Sequence, residues 1–227
     1  MGMRIVVVTI GILVTGVSLA QAPAPQARGE GGRPMRPPLF LEEQWQQIPG
    51  GGENALTQAS ITNANVEMKL YGGSSDEIQL TGNPGDENNP THVWTGLCTT
   101  PCAVTFRDKA RLVDLTGLAR IKWNTKTSGF HQVRPMLKLA DGTFLVGDHT
   151  DGSTLDWLTT EFSVAGVRWL KLDPERLVTT GNFVESPDLS RVDEGGFVDL
   201  MPASGHGPGG WSDVAQIEIY GKPVARK

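Results

Sequence analysis

The stretch Ser212-Asp-Val-Ala-Gln-Ile-Glu-Ile-Tyr-Gly221 decides the fold, because its residues alternate between two faces. In an extended strand one face would carry Val214, Gln216, Glu218 and Tyr220, and the other Ala215, Ile217 and Ile219. A period of two with one apolar face is typical of a strand that lies on a core with its other face free. The preceding residues predict another strand within Asp188–Pro202, followed by a glycine-rich loop over Ala203–Trp211.

Composition extends this pattern to the whole chain. The 227 residues include 28 glycines and 15 prolines, too many turn-forming residues for long helices. Short apolar segments between turn residues predict an all-β protein with little helix, built as an antiparallel sandwich. The net charge of −5 gives no basic surface for nucleic acid, so no nucleic-acid partner is expected.

Seven other segments are predicted strands. They are Val66–Tyr71, Ile78–Thr81, Ala103–Phe106, Gln132–Leu139, Thr143–Gly147, Trp157–Phe162 and Val167–Leu172. In Gln132–Leu139 the alternation predicts Val133, Leu137 and Leu139 inside and Gln132, Arg134, Met136 and Lys138 outside. Trp123 shares a face with Ile121 and is predicted to be core. Leu39–Trp45 has helical spacing, with Leu41 and Trp45 four residues apart.

The first 22 residues have the pattern of an export signal. Arg4 precedes an apolar run from Ile5 to Leu19, and Ala20-Gln-Ala22 fits a small-x-small cleavage site. The run is shorter than the ~20 residues that a spanning helix needs. We expect a signal peptide (1–22) and a secreted or periplasmic protein without a membrane span; the alternative is an uncleaved anchor. A Pro/Gly-rich disordered linker (23–38), one sandwich domain (39–222) and a tail (223–227) are predicted to follow.

Cys98 and Cys102 are the only cysteines. Cysteines in even number usually pair in exported proteins, so a disulfide is predicted. The small loop would limit its stabilisation to about 2 kcal/mol. A redox pair or two metal ligands are the alternatives, although the spacing is not Cys-x-x-Cys.

Five segments together resemble a known fold family. They are DLTGLARIKWNTKTSG (114–129), VRPMLKLADG (133–142), DWLTTEFS (156–163), DLSRVDEGGFVDL (188–200) and DVAQIEIYG (213–221). Their order resembles secreted galactose-binding-like jelly rolls: carbohydrate-binding modules, complex I intermediate-associated proteins and discoidin-type domains. The resemblance covers roughly residues 110–221 and implies a jelly-roll sandwich. Gly195 departs from it, because these families usually have an apolar residue there, and looser packing of that strand is expected.

Candidate ligand-binding residues lie in or beside the loops. Tryptophan faces stack on sugar rings, and planar polar side chains bond their hydroxyls. The candidates are Trp94, Trp157, Trp211, His131, Arg134, Asp148, His149 and His206. We expect Arg134 and the loops that carry His131, Asp148, His149, His206 and Trp211 to form one shallow surface. Packing against the core or a loop is the alternative for each tryptophan, and a solvated face for Arg134.

Three functions remain open on the sequence alone. The first is an exported, non-catalytic module that binds a polysaccharide or other glycan, without metal or cofactor. The second is a metal-dependent or glycoside-cleaving enzyme that uses the loop histidines, although neither His-x-His nor His-Glu-x-x-His spacing occurs. The third is an envelope domain that binds another protein. The oligomeric state is not predicted.

Overall fold

The computed structural model describes residues 2, 35–47, 54–152, 154, 156–202 and 209–226. Its strands, numbered in chain order, are β1 (Leu39–Gln44), β2 (Asn54–Ala55), β3 (Val66–Tyr71), β4 (Gln79–Thr81), β5 (His92–Trp94), β6 (Cys102–Asp108), β7 (Arg111–Asp114), β8 (Arg120–Thr127), β9 (Gln132–Leu139), β10 (Phe144–Gly147), β11 (Asp151–Gly152), β12 (Leu158–Ser163), β13 (Trp169–Asp173), β14 (Val178–Val184), β15 (Val192–Asp199), β16 (Ser212–Tyr220) and β17 (Lys222–Ala225). Three 3-10 turns cover Gln58–Ser60, Ser75–Glu77 and Val164–Gly166.

The strands form two sheets that pack face to face. The smaller sheet has the order β12-β8-β16-β5-β4-β2, and β1 pairs with β16 as well. The larger sheet has the order β14-β13-β10-β9-β15-β6-β3, with β11, β7 and β17 attached. The ladders are antiparallel. This arrangement confirms the predicted all-β sandwich of jelly-roll type, and the predicted core position of Trp123 is confirmed by its 1% exposure.

A β-bulge in β16 changes the predicted faces. The register with β8 shifts between Val214 and Gln216, so one extra residue, Ala215, is accommodated there. Val214 is therefore fully buried in the core beside Ile217 and Ile219, and its predicted place on the outer face is wrong. A bulge reverses the alternation on its far side, which puts Asp213 on the outer face.

The predicted helical spacing of Leu39–Trp45 is also wrong, because Leu39–Gln44 forms β1 and pairs with β16, and Trp45 bridges to Ile61. Leu41, Glu43 and Trp45 are all buried, which is a period of two. Glu43 hides that period in the sequence, because it is a carboxylate with no exposed surface. Its Oε1 accepts hydrogen bonds from the Thr62 backbone N–H at 2.5 Å and the Thr62 hydroxyl at 2.8 Å.

The outer face of the larger sheet carries a second apolar cluster. Its buried members are Ala103, Met136, Val146, Leu172, Leu177 and Val198. Met136 has no exposed surface, so the prediction that it points to solvent is wrong. It does lie on the face opposite Leu137, but Leu177, from the turn before β14, is buried against the same cluster. Strand alternation predicts the face of a residue, not what covers that face.

Gly195 is closely packed, contrary to the expectation from the family resemblance. A Cβ atom at this position would lie 2.7 Å from Cδ1 of Ile219. The Ile219 side chain therefore occupies the space that a larger residue would need, and the strand has no gap there.

Residues near both ends of the described chain contact the sheets. Pro37 is buried, and the guanidinium of Arg36 lies 4.2 Å from the Tyr220 ring centroid. Lys222–Ala225 pairs with β7, so the predicted tail is wrong for residues 223–225.

The predicted signal peptide and most of the predicted linker lie outside the described residues. Among the residues that are described, no helix is long and apolar enough to cross a membrane.

Candidate functional site

The outer face of the smaller sheet carries a buried carboxylate, Asp213. It lies between Trp94 on β5 and Lys126 on β8 in the strand register. The Trp211 indole Nε1–H donates to its Oδ2 at 3.1 Å, and Nε2 of His92 lies 3.6 Å from its Oδ1. Asp213 is 5% exposed, so these side chains shield a group that would normally face water.

The protonation of His92 follows from its neighbours. Its Nδ1 lies 2.6 Å from the Pro90 carbonyl oxygen, which can only accept, so Nδ1 carries the proton. Burial lowers the pKa of His92, which keeps the ring neutral, and Nε2 presents a lone pair to Asp213. Burial also raises the pKa of Asp213 to about 7. Below about pH 7 these shifts favour a protonated Asp213 that faces an unprotonated Nε2.

Aromatic rings surround this pair. The Trp157 ring meets the His92 ring edge to face, with centroids 5.1 Å apart. Trp94 lies over the backbone of Gly96, where a Cβ atom would be 2.2 Å from the indole Cε2. The three tryptophans predicted as ligand residues, Trp94, Trp157 and Trp211, are therefore grouped around Asp213 and His92, and each is half-buried.

The loop Asn83–Pro90 closes over one side of the group. The Asn83 N–H donates to the Asn89 carbonyl at 2.8 Å, so the loop returns on itself. Gly82 enters it with φ +84°, and a Cβ atom there would lie 2.0 Å from the Pro90 carbonyl oxygen. Only glycine fits that close approach. The Trp157 indole N–H donates to the Asn88 carbonyl at 3.1 Å and ties the loop to the start of β12.

A polar cavity of about 300 Å³ adjoins this loop on the same sheet face. It is lined by Gln44, Trp45, Pro84, Gly85, Pro90, Thr91, Asn124, Ala215 and Gln216. Oγ1 of Thr91 and Oδ1 of Asn124 are buried atoms, and neither has a hydrogen-bond partner among the described residues. Buried polar atoms are nearly always paired, so two unpaired oxygens in residues that line one cavity are candidate partners for a hydroxyl-bearing group that displaces the atoms covering them.

Charged and amide side chains continue along the face from the cavity. Gln216 Nε2 donates to Oε1 of Glu42 and of Glu218, both at 3.0 Å. Lys122 Nζ lies 2.6 Å from Glu218 Oε1, and the Tyr220 hydroxyl donates to Oε2. Burial opposes ionisation of Glu218, but the bonds from Lys122 and Tyr220 outweigh it and lower its pKa. These polar groups are fixed by one another before any ligand binds.

The structure places His131 away from this surface. It is 3% exposed, and its Nδ1 lies 2.7 Å from Oδ2 of Asp199. The Ser212 hydroxyl donates to the same oxygen at 2.7 Å. A histidine, a carboxylate and a serine are thus adjacent, but the serine bonds the carboxylate and not the imidazole. This arrangement differs from a nucleophile–base pair, in which the serine must bond the histidine.

Arg134 and Asp148 belong to the larger sheet. Arg134 Nε donates to the Gly147 carbonyl at 2.9 Å, and Asp148 Oδ2 pairs with Arg168 Nε at 2.7 Å. Because the outer faces of the two sheets point away from each other, Arg134 and the tryptophan group cannot form the single surface that we expected. His206 lies outside the described residues.

His149 lies apart from both of these surfaces, at the edge of the smaller sheet beside β12. Its ring stacks on Phe162 with centroids 3.8 Å apart, and its Nε2 lies 3.5 Å from Asp151 Oδ1. Asp151 Oδ2 accepts the buried Trp123 Nε1–H at 2.5 Å. In the part of the chain that the structure covers, no three His, Cys, Asp or Glu side chains are grouped to hold a metal ion.

Cys98 and Cys102 are buried thiols in the structure, with Sγ atoms 2.6 Å apart. The loop between them is held by Ser74 and Glu77, whose oxygens accept the Thr100 and Thr99 backbone N–H groups at 2.9 and 3.0 Å. The two sulfurs are adjacent, and the disulfide itself stays a prediction.

Sequence reasoning missed four residues of this surface: Thr91, Asn124, Asp213 and Gln216. It considered His92 only as one of the four loop histidines that could together bind a metal ion. The alternation of β8 did predict the position of Asn124: it lies between the core residues Trp123 and Thr125, so it belongs to the outer face. Asp213 had no such signal, because strict alternation in β16 would put it on the core face.

No protein-family model matches the chain, and no curated protein matches it. Several solved structures are similar. The family 11 carbohydrate-binding module from Clostridium thermocellum, in complex with a β-1,3-1,4-mixed-linked tetrasaccharide, is 15% identical, with a TM-score of 0.38 over 82% of this chain and 99% of that chain. TmCBM61 in complex with β-1,4-galactotriose is 9% identical, with a TM-score of 0.37 over 70% and 89%.

The carbohydrate recognition domain of Emp47p is 6% identical, with a TM-score of 0.35 over 70% of this chain and 90% of that chain. At these identities and TM-scores the likenesses assign no ligand and no family to this protein.

Proposed function

We propose that this protein binds a glycan, without catalysis, in the polar cavity on the outer face of the smaller sheet. The observation that carries the proposal is the pair of unpartnered oxygens, Thr91 Oγ1 and Asn124 Oδ1, in residues that line the cavity. Both oxygens are covered in the free protein, so a sugar hydroxyl would donate to them once the atoms that cover them move aside. The neighbouring Trp157, which we predicted to be a ligand residue, supplies a partly exposed aromatic ring for the apolar side of a sugar.

The hydrogen bonds among the polar side chains beside the cavity support a binding role for this face, as opposed to a face that is only solvated. Gln216 is held between two carboxylates, so its orientation is set in advance and little side-chain entropy is lost when a ligand binds. We also propose that the chain is exported, since the first 22 residues have the signal pattern.

The test is a binding screen of the purified protein. Soluble mixed-linked β-glucan, β-1,4-galactan, xylan, mannan and agarose oligosaccharides are suitable probes. For any that binds, Asn124→Ala should weaken the affinity about tenfold, the size of one hydrogen bond. Oδ1 has no partner to lose, so the free energy of unfolding should change little. Asn182→Ala, at an exposed asparagine of β14 on the other sheet, is the matched control and should bind as wild type.

Failure of every probe to bind would contradict the proposal, as would equal affinities of the Asn124→Ala and wild-type proteins. Release of shorter sugars during incubation would contradict the absence of catalysis and favour a glycoside-cleaving enzyme.

A further inference from the structure

A bridge of side chains crosses the outer face of the smaller sheet. Trp157 immediately precedes β12 at the edge of the sheet, whereas His92 lies on β5, and β8 and β16 run between them. Even so, the Trp157 and His92 rings are in contact, and the Trp157 indole is bonded to Asn88 in the β4–β5 loop. Trp157, His92 and this loop therefore span two strands.

The burial of Asp213 shows what the bridge does. Asp213 and its strand neighbour Lys126 are on the outer face at the level of the bridge. An outer-face carboxylate is ordinarily exposed, but Asp213 is only 5% exposed. The bridge therefore covers the sheet surface at this level, and an extended ligand cannot continue along the strands beyond it.

The cavity lies directly against this obstruction. Asn124, which lines it, is two residues from Lys126 on the same face of β8, a distance of about 7 Å. Pro84, Gly85 and Pro90 of the bridging loop form part of its wall. In the other direction the face continues past the half-exposed Lys122 to Tyr220. Among the described residues, the exposed side chain of Arg36, paired with Glu161 at 3.0 Å, is the group that crosses it there.

We propose that the cavity receives the end of a glycan chain and excludes its interior. This inference rests on the proposed glycan-binding function. An interior segment needs a groove that is open at both ends, whereas this one is closed by the bridge. The volume of about 300 Å³ is at the small end for ligand pockets, which suits a terminal ring.

The experiment counts binding sites per gram of polysaccharide by isothermal titration calorimetry. A polysaccharide from the screen is compared before and after partial acid hydrolysis, which multiplies chain ends at constant mass. A tenfold increase in ends should raise the sites per gram about tenfold. Borohydride reduction of the hydrolysate removes the reducing-end ring: loss of binding identifies the reducing end, and unchanged binding identifies the non-reducing end.

Opening the bridge is the second arm. Trp157→Ala should weaken the affinity of each site, because the ring also contacts the sugar, but it should let the intact polysaccharide pass and raise the number of sites per gram at least several-fold. Phe130→Ala, at an 88% exposed ring on another loop, should change neither quantity. If Trp157→Ala does not fold, Trp157→Phe, which removes the bond to Asn88 and reduces the ring contact with His92, takes its place. Sites per gram that stay constant on hydrolysis overturn the chain-end inference alone. Absence of binding to every polysaccharide overturns the proposed function as well.

Discussion

Oδ1 of Asp213 lies 3.6 Å from Nε2 of His92, and both side chains are almost fully buried on the outer face of a sheet. The Nδ1–H of His92 donates to the Pro90 carbonyl, so Nε2 carries a lone pair and can act only as an acceptor towards the carboxyl. The fold therefore favours a neutral Asp213 beside the candidate binding cavity, and this preference is measurable through stability.

The pH dependence has a definite sign. The pKa of Asp213 is raised to about 7 in the folded protein, against about 4 in an unfolded chain. Between these values the folded state holds a proton that the unfolded state has lost, so this group lowers stability as pH rises, with the full loss above about pH 7. Asp213→Asn should therefore stabilise the protein at pH 8, by on the order of 2 kcal/mol, and have little effect near pH 4.

Urea unfolding at pH 4, 6 and 8 measures this difference. Asp76→Asn, at an exposed aspartate, is the control for the loss of one negative charge. A difference between Asp213→Asn and wild type that is the same at all three pH values would show that the carboxyl is not held neutral.

The stability of a Met136→Ala variant distinguishes the position that the strand pattern predicts for Met136 from the position that the structure shows. If Met136 pointed to solvent, Met136→Ala would change the free energy of unfolding by a few tenths of a kcal/mol. Since it is fully buried in the second cluster, we expect a loss of about 2–4 kcal/mol. Gln132→Ala, at an exposed residue on the same face of β9, is the control for denaturant unfolding. A near-neutral Met136→Ala would mean that the cluster does not stabilise the fold.

Cys98 and Cys102 are expected to form a disulfide in the exported protein. The buried sulfurs are adjacent, and these are the only cysteines in the chain. Intact mass should rise by two hydrogens on reduction, and reduction should cost about 2 kcal/mol of stability, because the closed loop is short. Alkylation of two thiols in unreduced protein under denaturing conditions would disprove the bond.

The mature protein is expected to begin near Pro23. The charge at Arg4, the apolar run and Ala20-Gln-Ala22 are the basis for this expectation. N-terminal sequencing of exported material should start at or close to Pro23. An intact Met1 in that material would favour the uncleaved anchor instead.

The sequence by itself determined the fold class and most strands. Period-two alternation in β8, β9 and β16 needs only that one face be apolar, and that property is local to each segment. The same local information placed Trp94, Trp157 and Trp211 beside polar loops. It did not reveal β1, because the buried Glu43 interrupts the apolar pattern and is satisfied by Thr62, a partner 19 residues away.

Only the tertiary structure decided which residues meet. The bulge at Ala215 turns Asp213 outward, and a bulge depends on pairing with a neighbouring strand, so the alternation of β16 alone could not show it. The strand order β12-β8-β16-β5 then brings Trp157 to His92, which is 65 residues earlier in the chain, and sends Arg134 to the opposite sheet. Long-range pairing is set by the packing of the whole sandwich, and the candidate site exists only where that packing closes the loop Asn83–Pro90 over the sheet.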